Sequence, residues 1–179
     1  VPFLSTIPHV TIYSPFNFAE LEINLKQALY DVGGIAAVRY PKGGELPCPK
    51  GYKPNFKPYS YLRSGKTHML LVTYGRIFAN VLSAAKILAS EGFPVSVLKL
   101  TRILPLDEDC VQIARRYSHV LFFEEGSRRG GIGEYMGSLL MRERFSGEYR
   151  IQAIDGFPPH ASTEAALRRA GLDVEGILL

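Results

Sequence analysis

From about residue 65 onward, short apolar runs alternate with segments whose hydrophobic residues recur every three to four positions. Met69 to Tyr74 is a continuous apolar run ended by Gly75, as expected of a strand buried on both faces. Ile77 to Ser90 carries Phe78, Val81, Leu82, Ala85 and Leu88 on or near one face, which predicts a helix that Gly92 closes. Val95 to Leu100 is again strand-like. Asp107 is placed to cap a helix bearing Ile113, Ala114 and Tyr117. A strand over His119 to Phe123, a helix over Ile132 to Phe145 and a strand over Arg150 to Ile154 follow. Ser162 opens a last helix running through Ala166 and Leu167 to Gly171. Strands alternating with helices of this length predict an α/β fold, with a mostly parallel sheet covered on both faces.

The first forty residues repeat the pattern once. His9 to Tyr13 contains the β-favouring Val10, Thr11 and Ile12. Asn17 begins a helix, and Glu20 three residues on completes a capping box. Leu21, Leu25, Ala28 and Leu29 share one face, Gly33-Gly34 stop the helix, and Ile35 to Tyr40 returns as a strand halted by Pro41. A single βαβ unit is too small to cover its own sheet, so its apolar surface calls for a partner. Between the two pieces, prolines at 41, 47, 49, 54 and 58 and glycines at 43, 44 and 51 exclude regular structure over most of residues 41–64. The interleaved Tyr52, Phe56, Tyr59 and Tyr61 predict a connector laid along a surface. The expected domains are therefore 1–40, a linker at 41–64, and 65–179.

Composition narrows the function classes. Hydrophobic content of 46% with 21% charged residues is that of a folded globular chain. No apolar run approaches the roughly 18–20 residues that span a bilayer. The net charge of +4 is concentrated in Lys42, Lys50, Lys53 and Lys57 of the connector. Solvated linker lysines explain it without nucleic acid. Cys48 and Cys110 have no metal-binding spacing and fit a reducing, cytoplasmic setting. Val1 is not a natural start residue, which suggests a fragment.

Several tempting motifs fail. Gly65-Lys66-Thr67 resembles the end of a phosphate-binding loop, but Ser60 stands where the earlier glycine belongs and a strand follows instead of a helix. Gly131-Ile132-Gly133 opens a helix, yet the third glycine of a dinucleotide fingerprint would fall at Met136. Close packing of helix on strand explains these glycines. His9, His68, His119 and His160 form no metal cluster by spacing. What remains is charge at strand ends. Arg39 is placed either to orient a substrate anion or to be buried in a domain interface. Arg76, Arg102, Glu124 and Glu125 are expected to gather at the carboxyl edge of the second sheet, as an ion-pair network more than a catalytic set.

The ordered blocks Ile7-Pro8, Tyr13-Ser14-Pro15, Val38-Arg39-Tyr40-Pro41-Lys42-Gly43, Tyr74-Gly75, Arg102 with Leu104-Pro105-Leu106-Asp107, Glu124-Glu125-Gly126, Gly130-Gly131-Ile132-Gly133 and Gly171-Leu172-Asp173 resemble something known. They are similar to the C-terminal portion of the 1-deoxy-D-xylulose 5-phosphate synthases, a family of transketolase-like thiamine diphosphate enzymes. The resemblance implies a three-layer transketolase C-terminal-domain-like fold at 65–179, preceded by the last βαβ of a pyrimidine-binding domain. It implies a cytoplasmic homodimer that joins decarboxylated pyruvate to D-glyceraldehyde 3-phosphate for isoprenoid and thiamine synthesis. Thiamine diphosphate and magnesium would be bound by the complete enzyme and not by this fragment alone. Partners would be the missing N-terminal and pyrimidine domains and small-molecule substrates, with no nucleic acid or membrane. By the same resemblance, Lys42 and Arg39 are substrate-binding candidates, Lys42 toward the aldehyde's phosphate. Arginine is usual at position 42, and lysine keeps the charge but not the bidentate fork. Leu104 likewise replaces a usual lysine. A transketolase or 2-oxoacid dehydrogenase β-type section, and a non-catalytic assembly module, are the alternatives.

Overall fold

A computed structural model describes residues 1–41, 43–45, 48–49, 52–157 and 160–179. Lys42, one of the two substrate-binding candidates, lies outside the described residues. A 3-10 turn at Leu4–Thr6 precedes β1 (Thr11–Tyr13), α1 (Phe18–Tyr30) and β2 (Ala36–Val38). Then come β3 (Tyr59–Leu62), β4 (Met69–Tyr74), α2 (Ile77–Ser90), β5 (Ser96–Leu100), β6 (Arg102–Leu104) and α3 (Glu108–Ala114). The chain ends with β7 (His119–Ser127), α4 (Ile132–Arg142), β8 (Glu148–Ile154), α5 (Thr163–Arg169) and α6 (Val174–Leu178).

The larger sheet has the order β3-β5-β4-β7-β8, parallel except for the antiparallel edge strand β3. Alternation along its strands separates two cores. Leu70, Val72, Leu98, Leu100, Val120 and Phe122 face one way, among Cys110 and Ile113 of α3 and Met136 and Leu140 of α4. Leu71, Val97 and Phe123 face the other, among Phe78 and Val81 of α2 and Ile177 of α6. The expected three-layer α/β architecture is thus present.

Differences from the sequence pattern are local and have physical causes. The connector is not irregular to its end. Tyr59 to Leu62, freed of proline and rich in β-favouring tyrosine, pairs with β5 from Leu100 back to Val97. The opening βαβ is also not a separate sheet. After Leu100 the chain steps through Thr101, and β6 pairs antiparallel with β1, giving a three-stranded sheet of order β2-β1-β6. A further short helix, α6, follows α5, capped by the Asp173 carboxylate accepting from the Gly176 N–H at 3.0 Å.

Helix α1 is turned inside out relative to expectation. Asn17 caps it, accepting from the Glu20 N–H at 3.0 Å, while the Glu20 carboxylate accepts from the Phe16 N–H, also at 3.0 Å. Glu20 and Asn24 are buried, whereas Leu25 and Leu29 of the predicted apolar face are 42% and 71% exposed. Phe18, Tyr30, Ile35 and Tyr40 are exposed near it in the chain. The unpartnered apolar surface inferred from the lone βαβ unit is therefore found here.

Glu20 is buried because it meets a buried cation. Lys99 lies on β5, at a position that alternation directs into the α2 core, and is fully enclosed. Its ammonium donates to Glu20 Oε2 and, at 3.1 Å, to Thr101 Oγ1. The Tyr52 hydroxyl donates to Glu20 Oε1. The rings of Phe16, Tyr52 and Phe78 stand 5.6, 5.9 and 5.9 Å from the Lys99 nitrogen, within cation–π range. Burial lowers the Lys99 pKa, and Glu20 works against that shift. One ion pair thus ties the large sheet, α1 and the connector together.

Candidate functional site

In the large sheet, β4 is joined through α2 to β5 on one side, while β7 follows on its other side. The crevice at the carboxyl ends of β4 and β7 is therefore the topological switch point, where open α/β sheets bind ligands. After β4, Gly75 takes a left-handed φ of +58°, which turns Arg76 to the head of α2. Glu125 extends from β7. Arg39 reaches them from beyond β2, on the smaller sheet.

Arg39 Nη2 donates to Glu125 Oε1 at 3.1 Å and to the Glu125 carbonyl at 2.7 Å. Arg76 Nε lies 3.4 Å from Glu125 Oε2. The Arg39 guanidinium also stacks over Tyr74, 5.7 Å from the ring centroid. Two guanidinium groups thus share one carboxylate. The side chains of Arg39 and Glu125 keep 31% and 22% of their exposure, so the site is neither sealed nor fully solvated. Partial desolvation strengthens the ion pairs within it.

Glu124, next in the chain, points the other way. Its Oε2 accepts from the Tyr74 hydroxyl at 2.7 Å and the Ile132 N–H at 3.1 Å, and its Oε1 accepts from the Gly133 N–H at 3.1 Å. Burial raises its pKa, and these three donors oppose the rise. Burial and the neighbouring carboxylate push the Tyr74 hydroxyl well up. Glu124 is thus the internal anion at the N-terminus of α4. The glycines around it are explained by contact. A Cβ on Gly131 would lie 2.4 Å from Glu124 Oε1 and 2.5 Å from the Ser127 carbonyl oxygen. Amides that a dinucleotide phosphate would need are already bonded to Glu124.

Of the strand-end charges, the structure brings together Arg76 and Glu125, and adds Arg39. Glu124 serves the core. Arg102 pairs instead with Asp107 at 3.3 Å, beside the cap of α3. Asp107 caps that helix as expected, accepting from the Asp109 N–H at 3.1 Å. Among the described residues, no group of three or more His, Cys, Asp or Glu side chains is arranged to hold a metal ion. Sequence reasoning missed the Glu20–Lys99 pair, although a lone lysine inside the run Val97-Leu98-Lys99-Leu100 was a visible signal.

The family described as Transketolase, C-terminal domain matches residues 59–177. The chain belongs to that family. The match begins at the first residue of β3, the strand that closes the large sheet. Over nearly its whole length the chain is also similar to curated 1-deoxy-D-xylulose-5-phosphate synthases. It is 29% identical to that of Chlorobium phaeovibrioides over 98% of this chain and 28% of the relative. It is 31% identical to that of Treponema pallidum over 97% of this chain and 28% of the relative. The chain therefore spans little more than a quarter of the curated relatives it matches. A solved structure described as a split gene transketolase, inactive beta4 tetramer, superposes with a TM-score of 0.83 at 22% identity, covering 99% of this chain and 58% of that one. Within this transketolase-family fold, the Arg39–Glu125–Arg76 cluster joins the family domain to the sheet that precedes it. No helix among the described residues is long and apolar enough to cross a membrane.

Proposed function

We propose that this chain is the C-terminal section of a thiamine diphosphate-dependent 1-deoxy-D-xylulose 5-phosphate synthase, condensing pyruvate with D-glyceraldehyde 3-phosphate in the cytoplasm. The observation that carries this reading is similarity to the synthases over 98% of the chain. In this reading residues 1–40 close a pyrimidine-binding domain, and the connector leads into the C-terminal domain at β3. Thiamine diphosphate with magnesium supplies the carbanion chemistry when bound to the complete enzyme. This chain alone binds neither and is inactive.

Its own contribution is one edge of the acceptor site. Arg39 and Lys42 hold the aldehyde's phosphate. Glu125 fixes the Arg39 guanidinium through two hydrogen bonds, and the Tyr74 ring backs it, so that little side-chain freedom is lost on binding. The exposed apolar face of α1 and the edge strand β2 support contact with the remaining domains or a second subunit, in a homodimer. The test is steady-state kinetics of the complete enzyme with Arg39→Ala and Lys42→Ala. Each is expected to raise KM for D-glyceraldehyde 3-phosphate at least tenfold, the loss of roughly 1.4 kcal/mol or more of charged contact, with KM for pyruvate unchanged. Equal effects on both substrates remove these residues from the acceptor site.

A further inference from the structure

Arg39 can meet an acceptor only if the small sheet that carries it is held at a set position against the large one. The β1–β6 ladder does this poorly, being short and shifted in register between Ile12 and Tyr13. We propose that the buried Lys99–Glu20 pair is the positioning element for Arg39, clamping the corner between β1 and α1 to the end of β5 so that the Arg39 guanidinium meets Glu125. The geometry stands apart from any substrate, while its bearing on catalysis rests on the acceptor-site reading above.

The corner is tied at two points, and both lead to Lys99. Glu20 Oε2 accepts from the Lys99 ammonium and, at 3.0 Å, from the Phe16 N–H. The Ser14 N–H donates to the Thr101 carbonyl at 2.8 Å, while Thr101 Oγ1 accepts from Lys99 at 3.1 Å. Directly before this corner, the Tyr13 carbonyl accepts from the Arg39 N–H at 2.8 Å. Ser14 and Arg39 also crowd the turn that begins α2. A Cβ on Gly75 would lie 3.0 Å from Ser14 Oγ and 3.5 Å from Arg39 Nη1. The clamp and the arginine are thus linked through a few residues of backbone. The Arg39 bonds to Glu125, 2.7 and 3.1 Å long, fail once a shift of about 1 Å carries them past roughly 3.5 Å. A charge pair suits this task better than an apolar contact. Apolar residues of similar volume in its place are often neutral or stabilising, so stability alone does not account for two enclosed charges. An ammonium enclosed by Phe16, Tyr52 and Phe78 must keep its anion in contact, and that requirement fixes the corner on the strand.

Phenylglyoxal modification of the complete protein, followed by mass spectrometry, reads whether Arg39 is held. Glu20→Gln with Lys99→Met removes both charges and nearly keeps both volumes. Arg39 should then react about threefold faster or more, the gain in free guanidinium when a partly exposed ion pair of ordinary strength opens, and approach its rate in Glu125→Gln. Arg128, held by Asp155 at 2.8 Å, should react as in wild type. Thr101→Val, a near-isosteric change, removes one arm of the clamp and should give a smaller rise at Arg39, so the test survives poor folding of the double variant. Tyr52→Phe removes one hydrogen bond to Glu20 but leaves the pair, and should leave Arg39 unchanged. In steady-state kinetics the double variant should raise KM for D-glyceraldehyde 3-phosphate, with kcat and KM for pyruvate unchanged. Faster reaction of Arg39 with an unaltered KM upholds the positioning and removes Arg39 from the acceptor site. An unaltered Arg39 rate in the double variant and in Thr101→Val, an equal rise at Arg128, or an equal rise in Tyr52→Phe overturns the proposal.

Discussion

Replacing Glu20 with glutamine isolates one charge. The side chain keeps its shape, but the fully enclosed ammonium of Lys99 loses its only anionic partner among the described residues, retaining Thr101 and three ring faces. Removing one partner of a buried pair costs about 3–5 kcal/mol, because the other charge stays desolvated. A pair at contact distance and an effective dielectric near 20 gives about 4 kcal/mol, the same magnitude. The variant also acquires a pH signature. Lys99 already has its pKa lowered by burial, and Glu20 is the group that raises it. Without Glu20 the native state sheds this proton at still lower pH, while the unfolded chain keeps it up to the usual lysine range. Between those limits the unfolded state holds more protons, so stability rises with pH, by up to about 1.4 kcal/mol per pH unit. Urea unfolding of wild type, Glu20→Gln, Lys99→Met and the double variant between pH 6 and pH 9 measures all of this on one protein, pH values being set at about those limits. Expected are a deficit near 3 kcal/mol or more for Glu20→Gln that shrinks toward high pH, and a double variant less destabilised than the sum of the singles. A deficit below about 1 kcal/mol, or one independent of pH, refutes the reasoning.

Two other outcomes are expected. Glu124 has a raised pKa, so the native state keeps its proton where the unfolded chain has lost it. Its stability contribution is full below the ordinary carboxylate range and declines as pH rises through the raised value; Glu124→Gln removes that decline, as thermal unfolding against pH will show. Leu29→Lys, at a position 71% exposed, should change the stability of the chain by less than about 0.5 kcal/mol, while sedimentation shows weaker self-association or weaker capture of the remaining domains.

The sequence pattern located β4, β5, β7 and β8 of the large sheet because each packs against the chain's own helices, while the half-buried edge strand β3 fell inside the predicted connector. The predicted bounds of α2 match those observed, Ile77–Ser90. Where burial depends on something else, the same pattern misleads. In α1 the apolar stripe is real, but Leu25 and Leu29 face outward and Glu20 faces the core, since periodicity identifies a face without saying which side holds the partner. Strand β6 was invisible because Arg102, Ile103 and Leu104 continue directly from β5, and only the step at Thr101 moves them to the other sheet. In the candidate site, the strand-end arginines and glutamates were legible one by one. Their grouping was not, because Arg39 and Glu125 are 86 residues apart and meet only through packing of the two sheets.

Product formation by the complete protein is the most direct measure of what this chain belongs to. With pyruvate, D-glyceraldehyde 3-phosphate, thiamine diphosphate and magnesium, the complete protein should yield 1-deoxy-D-xylulose 5-phosphate, identified by NMR, while residues 1–179 alone yield none. Turnover by the 179-residue chain alone, or a folded complete protein that consumes pyruvate without making that product, would contradict the account.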